Sequence, residues 1–130
     1  MQERLYALTE EIIAAALVVH KELGPGMLES SYEACLTFEL LNRGLLAERQ
    51  KSLPLIYRGR TLECGYRLDI LVEGLVVVEV KAIERLDRVH AAQVLSYPRL
   101  TGCKVGLLIS FNVRWLIKDG VRRIVNGFPE

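Results

Sequence analysis

Cysteine is scarce in this chain: Cys35, Cys64 and Cys103 form an odd set with no CxxC spacing. Such a set cannot build a disulfide framework and lacks the ligand spacing of a zinc site, so reduced thiols in a cytosol are expected. An excess of one charge is missing too. The net charge is +1, which neither marks nor excludes a nucleic-acid partner, because such a partner needs positive charge clustered rather than summed. No run of about eighteen uncharged residues could span a membrane, and no signal-type apolar stretch follows the first four residues. The expectation is a cytoplasmic protein with no membrane partner. Internal repeats, low-complexity stretches and linkers are absent. No series of aromatics suggests base stacking, and no helix reads as a groove-reading module.

What is present is apolar: 51% of the 130 residues are hydrophobic, enough for one folded domain with a sizeable core. Thr9 to Leu23 predicts a helix, with Thr9 as its cap and Ile12, Ile13, Ala16, Leu17, Val19 and Leu23 as a broad apolar face. Gly24-Pro25-Gly26 stops it. A second helix is expected from about Leu28 to Asn42. Strands follow over Leu46–Tyr57, Thr61–Val72 and Leu75–Ala82. Helical spacing returns from about Asp87 to Leu100, and Pro98 should kink or finish that helix. Lys104 to Phe111 reads as a strand, and Val121 to Val125 as a short edge strand. This order predicts an α/β domain with a mixed sheet.

The informative stretch is Tyr66 to Ala82. It reads as two β-branched strands and a tight turn, yet Asp69, Glu79 and Lys81 interrupt the apolar run. A buried charge is costly unless it is paired or holds a metal. Alternation along a strand puts Glu79 and Lys81 on one face. A two-residue turn would send Asp69 to the other face. A three-residue loop, Val72-Glu73-Gly74 with Gly74 left-handed, gathers all three and pairs Arg67 with Glu79. Two carboxylates on neighbouring strands can hold one hard cation, with the Val80 carbonyl as a further ligand. Lys81 could orient the attacking water or offset phosphate charge.

Two further constellations stand beside this one. Gln93 and Tyr97 share a helix face at i, i+4 spacing and could donate to water or phosphate. At the start of the second helix, Glu29 or Glu33 could reach a cation. Glu29 shares the face of Tyr32 and is slightly favoured.

Taken together, these motifs resemble the GxxExxY protein family of the PD-(D/E)XK nuclease superfamily. The resemblance rests on Gly26-x-x-Glu29-x-x-Tyr32, Arg67-Leu-Asp69, Glu79-Val-Lys81 and Gln93-Val-Leu-Ser-Tyr97, and runs from about Thr9 to Asn126. It implies a restriction-endonuclease-like core, with a central mixed sheet flanked by helices. It also implies a phosphodiesterase dependent on Mg²⁺ (or Mn²⁺) and acting on DNA or RNA. By that pattern Asp69, Glu79, Val80 and Glu29 are candidate metal ligands. Lys81, Gln93 and Tyr97 complete the candidate catalytic set. The alternative is a binding or protein-interaction module that keeps the fold without turnover, and a homodimer through exposed helix faces is a third expectation. Arg85, Arg88, Arg99, Arg114, Arg122 and Arg123 are candidates for a phosphate-binding rim. His20 suits a helix C-terminus, and His90 could line the same cleft as Gln93.

Overall fold

The computed structural model of the chain describes residues 2–86, 89, 103 and 105–125. Helix α1 spans Gln2–Leu23 and α2 spans Glu29–Asn42. The first helix begins a full seven residues before the expected cap, because Leu5 and Leu8 extend its apolar face and are buried at 3% and 6% exposure. Thr9 therefore lies inside the helix, where its hydroxyl donates to the Tyr6 carbonyl at 2.8 Å. This back-bond inside a helix replaces the capping role expected from its residue type.

Among the described residues the sheet has five strands in chain order: β1 (Ala47–Tyr57), β2 (Arg60–Val72), β3 (Val76–Lys81), β4 (Val105–Ser110) and β5 (Val121–Val125). The β3–β4 pair is parallel; β1–β2, β2–β3 and β4–β5 are antiparallel. The domain is thus α/β with a mixed sheet, as the element order implies. Arg58 and Gly59, both left-handed, make the two-residue turn between β1 and β2, a backbone that matches the strand twist. The β1–β2 register slips between Leu53 and Leu55, at Pro54, which has no N–H for the ladder.

The main core lies where α1 and α2 cover one face of the sheet. Ile12, Ala16, Tyr32 and Leu36 meet Ile70, Val72, Val78 and Val80 there, together with Leu107 and Ile109. Burying one such side chain fully is worth about 1.5–3 kcal/mol. No helix among the described residues is long and apolar enough to cross a membrane. Of the helix expected over 87–100, Val89 alone is among the described residues, and it is helical.

Candidate active site

The hairpin between β2 and β3 decides which side chains meet. Its loop is Glu73-Gly74-Leu75, three residues, with Glu73 and Gly74 at positive φ. The loop sits one residue later than expected. The register is Val72↔Val76, Leu71↔Val77 and Ile70↔Val78, so the expected Arg67–Glu79 pairing is two residues out. Parity survives this shift because the loop length is still odd. The next rung would set Asp69 against Glu79. The ladder stops there, and the Val80 N–H donates instead to Asp69 Oδ2 at 2.8 Å. Asp69 thus stands in for a strand carbonyl where β2 and β3 part.

Val78 and Val80 turn into the core under the helices, so Glu79 and Lys81 turn to the opposite face. Glu79 is only 4% exposed. Its Oε1 lies 3.9 Å from Lys81 Nζ, and its Oε2 has no hydrogen-bond partner among the described residues. Burial pushes the Glu79 carboxyl up to about 8 from an ordinary 4.5. The negative charge of Asp69 adds to the rise, and Lys81 works against it. An orphaned buried carboxylate oxygen next to a second carboxylate fits a divalent cation, which would replace the proton. No group of three or more His, Cys, Asp or Glu converges on one point among the described residues. A cation there would rest on the Asp69–Glu79 pair with backbone carbonyl and water, a set that suits Mg²⁺.

The preference for Glu29 over Glu33 reverses. Glu29 is exposed, while Glu33 is buried at 5%. Glu33 pairs with Arg49 at 3.1 Å and accepts from Gln50 Nε2 at 2.7 Å. The same Gln50 nitrogen donates to Asp69 Oδ1 at 3.4 Å. The carboxylate of α2 that reaches the hairpin is therefore Glu33, through Gln50. Tyr32, which drew attention to Glu29, points into the core. Its hydroxyl donates to the Gly24 carbonyl at 2.6 Å and accepts the Met27 N–H at 3.0 Å, and its ring stacks on Phe111 at 4.6 Å. It is a strut for the loop between the helices.

Arg49 and Gln50 are absent from the expected site. Gln50 has φ of 49° and falls between the rungs Arg49↔Ile70 and Lys51↔Leu68, opposite Asp69. A non-glycine residue held in the left-handed region is strained, and such strain collects at functional sites. The run Glu48 to Lys51, four polar residues inside an expected strand, breaks the alternation and was the available signal. Arg67 is exposed and makes no ion pair among the described residues. His20 donates from Nε2 to the Val113 carbonyl at 2.7 Å, a structural link. Gln93, Tyr97, His90, Arg88 and Arg99 lie outside the described residues.

A family model described as the PD-(D/E)XK nuclease superfamily matches residues 6–124, so the chain belongs to that superfamily. No curated protein and no solved structure matches it.

Proposed function

We propose that this member of the PD-(D/E)XK nuclease superfamily is a phosphodiester hydrolase, dependent on Mg²⁺ or Mn²⁺ and acting on DNA or RNA. The Gly26-x-x-Glu29-x-x-Tyr32 motif supports reading it as a member of the GxxExxY branch. The observation that carries the proposal is Glu79: a carboxylate 4% exposed, with one oxygen unpartnered among the described residues, set between a second carboxylate and a lysine. A structural ion pair would satisfy both oxygens, since leaving one unmet costs about 1–3 kcal/mol.

Asp69, Glu79 and the Val80 carbonyl would hold the cation, which supplies positive charge to a phosphodiester oxygen and lowers the pKa of water. Val80 N–H and Gln50 grip the two Asp69 oxygens and fix the plane of that carboxylate. Glu33 and Arg49 brace Gln50 from behind. Lys81, 18% exposed, can present its ammonium to the phosphate and orient the incoming water. Gln93 and Tyr97 remain candidates for further donors.

Cleavage of mixed nucleic acids with Mg²⁺ or Mn²⁺ tests this, comparing wild type with Asp69→Ala and Lys81→Ala. Metal-dependent product from wild type alone is expected. Equal product from all three overturns it. Salt-dependent binding with no product in any of them would make the chain a binding module instead.

A further inference from the structure

Trp115 is the single tryptophan of the chain, and its side chain is 58% exposed. The backbone beneath it is rigid. Val113 is tied to α1 by His20, and the Asp119 N–H donates to the Trp115 carbonyl at 3.0 Å. The following segment, Leu116–Gly120, is a π-helical turn, a form that is rare and frequent at functional sites. Leu116 is buried at 2%, and a Cβ on Gly120 would collide with the Ser110 carbonyl oxygen. A large aromatic ring is thus exposed on a segment tied to α1 and packed against β4.

Its surroundings are basic. The Arg114 guanidinium lies 5.0 Å from the ring centroid. Arg114 also lines an open cleft of about 690 Å³ with Arg85, Arg122 and Asn112, and with the acids Glu84 and Asp119. None of the three guanidiniums makes an ion pair with a carboxylate among the described residues. Trp115 itself lines a second, largely apolar hollow of about 450 Å³ with Leu17, Leu116, Ile117 and Lys118. Phosphate donors on one side and an apolar slot on the other flank one ring.

The cleft starts where the hydrolytic residues end. Arg85 follows Lys81 by four residues, within about 14 Å even if fully extended. The Phe111 N–H donates to the Lys81 carbonyl at 3.0 Å. Ser110, opposite Lys81 in the parallel register, bonds both the N–H and the carbonyl of Ile83. The strand ends carrying Lys81 and the cleft therefore form one braced unit.

We propose that Trp115 stacks on an unpaired base of the nucleic acid, while Arg85, Arg114 and Arg122 take the neighbouring phosphates, so that the substrate is single-stranded beside the cleavage site. A base inside a duplex has no free face to offer a surface ring, whereas an unpaired one does. This rests on the nucleic-acid substrate proposed above, but not on turnover.

The test uses the full chain with Lys81→Ala, without divalent metal, titrated with an oligothymidylate and with a hairpin duplex of equal length. The sole tryptophan reports directly: quenching by the single strand is expected, with affinity at least about fivefold above that for the duplex. By anisotropy of a labelled oligothymidylate, Trp115→Ala should weaken binding about 5- to 100-fold at unchanged Tm, and Trp115→Phe should recover most of it. Arg114→Ala and Arg122→Ala should each flatten the salt dependence by about 0.7 in slope. Unchanged binding in Trp115→Ala, equal affinity for duplex, or a Trp115-dependent doubling of molar mass would each overturn the inference. Binding without any cleavage in wild type would remove the hydrolase and leave this site standing. Cleavage with Trp115→Ala indistinguishable from wild type in binding would do the reverse.

Discussion

Val78 and Glu79 are neighbours on β3, buried at 0% and 4%, and face opposite sides of the same sheet. Val78 packs in the apolar core beneath α1 and α2. Glu79 meets Asp69 and Lys81 and leaves an oxygen unmatched. Equal burial therefore has opposite sign on the two faces. One removes hydrocarbon from water, and the other holds a carboxylate where its charge is disfavoured. A strand that alternates in this way is stabilised by one face and strained by the other, and the strained face is where chemistry can be done.

The sharpest way to break this comparison is by activity. Asp69→Ala removes one carboxylate and uncaps the Val80 N–H, and cleavage rate with Mg²⁺ should fall by about 10²-fold or more. A variant within a few-fold of wild type would mean the polar face is not catalytic. Next is stability. Urea denaturation should show Val78→Ala losing about 2–3 kcal/mol, while Glu79→Leu, which swaps an unmatched buried carboxylate for hydrocarbon, should gain about 1–2 kcal/mol. If both variants lose stability, the two faces are equivalent after all.

The pH dependence sharpens the point. Glu79 releases its proton near 4.5 when unfolded and near 8 when folded. Between those values the folded protein holds the extra proton, so this group's contribution is complete below about 4.5 and declines as pH rises through 8. The slope is at most about 1.4 kcal/mol per pH unit. In metal-free buffer, the stability of Glu79→Gln should lack this decline. The smallest effect is expected at Gln50. Gln50→Gly relieves a left-handed backbone worth about 1 kcal/mol or more but releases one of the two held Asp69 oxygens. Its Tm should stay near that of wild type while Mn²⁺ affinity, read by calorimetry, drops about tenfold.

How much of this was readable beforehand depends on the range of the interaction. The grouping of Asp69, Glu79 and Lys81 followed from strand parity and an odd loop, and a shift of two residues in register left it intact. The start of α1 was misplaced because Thr9 looks like a cap to local rules, whereas Leu5 and Leu8 find a sheet to bury against. Glu29 and Glu33 could not be told apart from helix spacing, since both flank Tyr32. The polar run Glu48 to Lys51 marks a break in β1, but nothing in the residue type of Gln50 announces its positive φ. Arg85, Arg114 and Arg122 were candidates for a phosphate rim by charge alone, but no periodicity linked them to one another or to the Trp115 ring.

Local order alone, the valines of β3 alternating with two charges and the glycine at the turn, was sufficient for the α/β class and the acidic pair, because strand alternation and turn handedness act over a few bonds. Which helix carboxylate reaches that pair, how Gln50 bridges to it, and which arginines gather beside Trp115 were decided by packing α1 and α2 on the sheet and by pairing β3 with β4. Those contacts join residues tens of positions apart, and their geometry exists only once the core has closed.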